Sequence, residues 1–108
     1  MEDNRQYIER IREELEAVYN GEATNQDEEP ASFWDYIAEN VLDFTYIINA
    51  DKSYKAAILA VTLGGPNVYI DTWEHEIQLY WGSDKETIWL PSEICDEIDA
   101  VMEEQYNA

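Results

Sequence analysis

Gly64-Gly65-Pro66-Asn67-Val68-Tyr69-Ile70-Asp71-Thr72 is the stretch that decides the fold. Two glycines, a proline and an asparagine in a row form a strong turn signal, and an apolar alternation of period two starts directly after it. A glycine pair that fed a helix would suggest a phosphate-binding loop, but here it feeds a strand, so it reads as a turn. Working outward, Asn67–Thr72, Ile77–Trp81 and Glu86–Leu90 read as three short antiparallel strands joined at Trp73–Glu76 and Gly82–Lys85. Upstream, Phe44–Asn49 reads as a strand, Asn49-Ala50-Asp51-Lys52 as a turn, and Tyr54–Leu63 as a long strand whose alanines leave a helix as the alternative.

Helical periodicity frames these strands. Ile8, Ile11, Leu15 and Val18 form one apolar stripe over residues 4–20, and Gly21 is a C-terminal stop. A second helix starts at Ser32, with Ser32 and Asp35 as a weaker capping box and Asp in place of the preferred Glu. Its face is Phe33, Ile37 and Val41, with Trp34, Ala38 and Leu42 beside it, and it ends near Asp43. The last helix opens at Pro91 and Ser92, with Ser92 as cap and Ile94, Ile98, Val101 and Met102 as its buried stripe. The expected fold is α+β: an antiparallel meander sheet of about four to five strands, with two N-terminal helices and one C-terminal helix. Residues 1–108 read as a single domain, and 22–30 as an acidic, solvated linker between the first two helices.

The chain carries 25 Asp and Glu against 6 Lys and Arg, a formal charge of −19 on 108 residues. Solubility asks for only about 2–8 charges on a small domain, and like charge in excess destabilises the compact state. With 45% hydrophobic residues, four Trp, eight Tyr and two Phe, the chain is not a disordered acidic tail. Nucleic acids and acidic membrane surfaces would repel it, whereas basic proteins would attract it. The N-terminus, Met1-Glu2-Asp3-Asn4, lacks a signal peptide's basic start, and no apolar run approaches a membrane span of about 18 residues. A single cysteine, Cys95, excludes an intrachain disulfide and fits a reducing cytoplasm.

The charge is unevenly placed. Residues 92–108 hold six acids and no Lys or Arg. The six are Glu93, Asp96, Glu97, Asp99, Glu103 and Glu104: Glu93 and Glu97 are four apart, and Asp96, Asp99 and Glu103 step by three and four along a helix, where Cβ atoms lie about 5–6 Å apart. DNA phosphates recur at roughly 3.4 Å of axial rise per strand along a longer backbone path. Such a helix can therefore imitate a short phosphate track. Asp35, Glu39 and Asp43 form a second line, without a basic neighbour. The first helix is partly self-neutralised by Arg10–Glu14 and Arg12–Glu16 at i,i+4 and ranks below both. A solvated face that merely keeps the protein soluble is the competing reading.

Other constellations are weaker. His75 between Glu74 and Glu76, with Asp71 close by, could hold zinc or manganese, but an exposed polar turn accounts for the same residues, so no metal or cofactor is expected. Cys95 falls beside an apolar stripe and reads as a small core residue, not a nucleophile. No catalytic residue is expected. In the strands, Val68, Ile70, Ile77, Leu79, Trp81, Ile88 and Leu90 fall on one side, with Tyr69, Tyr80 and Trp89 on the other. That second side is either covered by a helix or an aromatic contact patch for a protein.

From Leu63-Gly64-Gly65-Pro66-Asn67-Val68-Tyr69-Ile70-Asp71-Thr72 through Tyr80-Trp81-Gly82 to Leu90-Pro91-Ser92-Glu93-Ile94-Cys95-Asp96-Glu97-Ile98, the chain resembles small, uncharacterised acidic proteins of bacterial mobile elements. The resemblance spans about residues 60–100 and implies a phage, plasmid or conjugative element of a Gram-positive gut-type bacterium. By size, charge and that context, the chain also resembles anti-restriction and anti-CRISPR proteins that mimic DNA; this second resemblance assigns no individual residue. Together these readings lead to the expectation of a cytoplasmic, non-enzymatic inhibitor that blocks the basic DNA- or RNA-binding channel of a host CRISPR effector or restriction enzyme. The alternatives are an acidic adaptor that binds a basic protein without displacing nucleic acid, and a small metal-dependent enzyme around Asp71, Glu74, His75 and Glu76. Oligomeric state is left open.

Overall fold

The Gly64–Asn67 turn sits inside an uninterrupted run of strands. A computed structural model describes residues 3–108; the N-terminal reading at Met1 and Glu2 lies outside the described residues. The elements are α1 (Asn4–Tyr19), α2 (Phe33–Asn40), β1 (Asp43–Ile48), β2 (Tyr54–Thr62), β3 (Asn67–Asp71), β4 (Glu76–Trp81), β5 (Asp84–Trp89) and α3 (Ser92–Tyr106). The five strands form one antiparallel meander in the order β1-β2-β3-β4-β5. The fold is α+β, with two helices before the sheet and one after it.

Register explains the core. Leu59, Ile70, Ile77 and Ile88 stand opposite one another across β2 to β5. All four are buried under the helices. Onto this row α1 lays Ile8, Ile11, Leu15 and Val18, and α3 lays Ile94, Cys95, Ile98, Val101 and Met102. Burying a Leu or Ile side chain contributes about 1.5–3 kcal/mol, so these stripes supply most of what holds the helices down. Helix α1 lies over β4 and β5, α3 lies over β2, and short α2 bridges α1 and α3. All three helices therefore sit on one side of the sheet.

Local chemistry fixes the ends. Asp3 caps α1 in a capping box with Gln6, and Gly21 follows its C-terminus at φ +74. Ser32 and Asp35 form the expected box at the start of α2. The 22–30 segment is exposed but tied: the Asn25 Oδ1 accepts from the amides of Asp27 and Glu29, and Thr24 bridges Pro30.

Several expectations are corrected. Helix α2 ends at Asn40, not near Asp43, because the chain goes extended at Val41 and the Leu42 amide donates to the Ala60 carbonyl. Its buried face is Phe33 and Tyr36; Trp34 is half exposed, and Ala38 and Leu42 are exposed too. Tyr54–Leu63 is a strand, with Leu63 just beyond it. Ser92 is not the cap of α3: Pro91 holds that position without a side-chain bond, and Ser92 is the first helical residue. Trp81 shares parity with the core side but is 52% exposed, since β4 outruns the helices there. Its ring instead packs on Gly65, at φ +141, where a Cβ would collide with it. Among the described residues, no helix covers the Tyr69, Tyr80 and Trp89 side.

Candidate partner-binding surface

Helix α3 is anchored from beneath, and this leaves its outer stripe to solvent. Glu93, Asp96, Glu97, Glu103 and Glu104 are all exposed, with Ala100 the one uncharged residue among them. Their steps of three, one, six and one keep them within one arc of the helix. No basic residue occupies the last turn, where Glu103 and Glu104 oppose the helix dipole.

Asp99 does not belong to that stripe. It turns inward, and its Oδ1 accepts from the Tyr54 hydroxyl at 2.6 Å and the Thr72 hydroxyl at 2.7 Å. Thr72 in turn accepts from the Ala57 amide at 2.9 Å. This network stitches α3 to β2 and to the end of β3. Burial raises the Asp99 carboxyl above its usual range, and the two hydroxyls only partly offset that. Burial, reinforced by the Asp99 carboxylate, also pushes the Tyr54 phenol up. Neither Tyr54 nor Thr72 was expected to touch an acid of α3. They lie 45 and 27 residues away from it in the chain, and no local signal reports such a pairing.

The second acidic line is not a line. Asp35 is engaged at the start of α2, where the Ser32 amide and the Asn25 side chain hold its carboxyl below the usual range. Glu39 is exposed on α2, and Asp43 opens β1 opposite Ala60. What α2 does bring to α3 is its N-terminus: Ser32, Phe33 and Glu97 share one depression with Val18 and Tyr19. Glu22, Asp27, Glu28 and Glu29, expected only to solvate a linker, do more than that. They are exposed on a loop whose Asn25 is tied to α2, so they extend the acidic surface. The signal was present: residues 21–31 contain these four acids and no base.

The opposite side of the sheet is open. Tyr69 and Tyr80 meet edge to face at 5.9 Å. With Ile58, Asn67 and Gln78 they line a shallow depression of about 400 Å³. Lys85 lies 5.4 Å from the Tyr80 ring centre, Lys55 lies 4.1 Å from that of Trp73, and Trp89 is 60% exposed. Ile58 and Gln78 share strand parity with Tyr69 and Tyr80, so alternation alone could have found them.

The His75 turn is built as structure. The Asp71 Oδ1 accepts from the amides of Trp73 and Glu74, both at 2.9 Å, and its Oδ2 from Gln78. His75, at φ +57, accepts the Leu90 amide on its carbonyl, and its Nδ1 lies 3.3 Å from the Ser92 hydroxyl. Among the described residues, no three of His, Cys, Asp and Glu converge to hold a metal ion. Cys95 is fully buried, 3.9 Å from the Leu90 carbonyl, and burial together with Asp99 and Asp96 pushes its thiol up to about 12. Among the described residues, no helix is long and apolar enough to cross a membrane.

Comparison with protein families, curated proteins and solved structures returns no match.

Proposed function

We propose that this chain is an acidic DNA-mimic inhibitor. In this reading it acts in the bacterial cytoplasm on a host nucleic-acid-binding defence protein, a CRISPR effector or restriction enzyme, and occupies that protein's basic channel. The observation that supports it is the outer stripe of α3: five exposed carboxylates on a rigidly seated helix, with no basic residue between 92 and 108. Glu93, Asp96, Glu97, Glu103 and Glu104 stand in for phosphates, and exposed Glu39 and the 22–30 loop extend the field. Asp99 is left out, because its carboxylate is committed to Tyr54 and Thr72. Asp35 contributes charge but not a free carboxylate. The mechanism is competition, and it uses no cofactor and no chemical step.

The test is capture on the immobilised chain from bacterial lysate, followed by displacement with duplex DNA. The expected result is a nuclease retained at about 0.1 M salt and released by its cognate DNA, with retention falling as salt shortens the screening length from about 10 Å. A folded Glu93→Lys, Glu97→Lys, Glu104→Lys triple variant that captures the same nuclease equally well would overturn the assignment.

The open aromatic side favours a second reading, an adaptor. Tyr69, Tyr80 and Trp89 lie away from the acidic stripe and would hold a basic partner through short-range contacts. A ternary complex of chain, partner and DNA would select this reading over competition.

A further inference from the structure

A sheet of five strands has two edges, and this one treats them differently. The β5 edge is guarded. It carries Asp84, Lys85 and Glu86, lies under α1, and has its Trp89 carbonyl bonded by the Arg12 guanidinium at 3.1 Å. Arg5 reaches Glu86 at 3.8 Å. Charges and cover of this kind are how proteins stop an edge from pairing with another chain. The β1 edge is less guarded: its one charge is Asp43 at the start of the strand, a register shift falls between Ile47 and Ile48, and Tyr106 of α3 packs on Tyr46. Phe44-Thr45-Tyr46-Ile47-Ile48 contains no charge, no proline and no glycine. Among the described residues, its one strand neighbour is β2. Phe44 is 39% exposed and Ile48 46%, and the preceding Leu42 is 65% exposed.

The charge map singles out the same region. In a chain of net −19, residues 44–50 and 56–70 hold no charged side chain at all. These residues build most of β1, β2 and β3. A basic partner would be drawn to the acidic helix, not to this edge. A second copy of the chain meets the least repulsion here, and it brings the one strand guaranteed to match.

We infer that β1 is the contact of a two-fold homodimer, in which the β1 strands of two copies pair antiparallel and join their sheets into one of ten strands. Such an interface is isologous, because the same patch serves both copies. It satisfies the outward backbone groups of both edges, and it covers Leu42, Phe44 and Ile48. The two-fold axis passes through the sheet, so all helices remain on one side. Where α3 lies over β2, the two α3 helices stand about three strand spacings apart, or about 14 Å at about 4.8 Å per strand, and they come closer at their C-terminal ends, where Tyr106 reaches Tyr46 of β1. Over β2 that separation exceeds the screening length of about 10 Å at 0.1 M salt, so repulsion between the copies is concentrated at Glu103 and Glu104 and weakens as salt rises. If the inhibitor reading holds, the dimer presents two antiparallel acidic tracks at a spacing near the major-groove width of about 12 Å. Dimer formation itself does not depend on that reading.

The experiment is sedimentation analysis of the full chain at about 0.05 M and about 0.5 M salt, conditions that bracket weak and strong screening. Wild type is expected at twice the 12.6 kDa chain mass, with the dimer fraction rising as salt rises. The Thr45→Glu, Ile48→Glu double variant is expected at one chain mass, with self-association weakened by about tenfold or more and the helical circular dichroism unchanged. A wild-type monomer at the higher salt overturns the proposal, and so does a dimer that the double variant does not weaken. Amide exchange of wild type gives a readout free of mutation. Protection at Phe44–Ile48 that grows with protein concentration supports the dimer, and protection independent of concentration overturns it. The Glu93→Lys, Glu97→Lys, Glu104→Lys variant should still dimerise, so loss of the inhibitor reading and loss of the dimer are separable outcomes.

Discussion

Helices α1 and α3 rest on the same side of the sheet, and both are rich in acids. Helix α1 carries Glu9, Glu13, Glu14 and Glu16, and spends three arginines against them: Arg5–Glu9, Arg10–Glu14 and Arg12–Glu16 are all i,i+4 pairs. Two of those arginines also reach the sheet, at the Trp89 carbonyl and Glu86. Helix α3 has six acids and no base. Exposed ion pairs contribute little, about 0.3–0.5 kcal/mol each on a helix, so the pairing on α1 is not required for its stability. The difference is in the field each helix shows to the outside. One is locally balanced, and the other is anchored through its buried stripe and Asp99 while its charge is left uncompensated.

The largest expected effect comes from inverting α3. Changing Glu93, Glu97 and Glu104 together to Lys should weaken capture of the basic partner by about a hundredfold, or about 2.7 kcal/mol, in a DNA-competition titration. Thermal stability should change little, since relief of like-charge pairs at about 0.2–0.5 kcal/mol each and a favourable cation in the last turn are offset by a cation in place of Glu93 in the first turn. The matching change on α1, Glu13→Lys with Glu16→Lys, should leave affinity within about threefold if α3 is the contact. Equal losses from both helices would mean that bulk charge, not α3, does the binding.

Next is the anchor. Asp99→Ala strands the Tyr54 and Thr72 hydroxyls and should cost about 1–3 kcal/mol in urea unfolding. Asp99→Asn keeps an acceptor oxygen and should recover most of it. Smaller still is Arg12→Ala, which removes one exposed hydrogen bond to the β5 edge and should cost about 0.5–1.5 kcal/mol without changing partner capture.

The smallest effect is a slope with pH. Because burial raises the Asp99 carboxyl, the folded chain holds that proton more tightly than the unfolded chain does. Its contribution is therefore present in full below the ordinary carboxylate range, and is lost as pH rises through the elevated folded value. Asp99→Asn lacks this titration. The stability difference between wild type and Asp99→Asn should shift against wild type on going from acid toward neutral pH, as read by urea unfolding at several pH values. An unchanged difference would show that Asp99 is not perturbed by folding.

How far the sequence speaks follows from these same elements. The strands are legible because Gly64–Asn67, Asn49–Lys52 and Gly82 punctuate runs of period two, although β5 starts at Asp84, two residues before the expected Glu86, because Asp84 and Lys85 pair with Trp81 and Tyr80; the α1 and α3 stripes are legible because four apolar positions recur at helical spacing. The acidic outer stripe of α3 follows from the same wheel. Asp99 was misplaced because it sits at the border between the apolar and acidic arcs, and its direction is set by hydroxyls on distant strands. Asp43 was misplaced because Val41 and Leu42 look helical until Ala60 takes the Leu42 amide. Whether a helix covers Tyr69 and Tyr80 depends on how three helices share one side of the sheet, which alternation along a strand does not encode.

Cys95 makes the chain its own timekeeper. It is the single thiol, sealed between α3 and the sheet, and its environment holds the proton on sulfur. A thiol reagent can react only when α3 lifts away. The labelling rate therefore counts openings of the very helix that carries the acidic stripe, without any engineered probe.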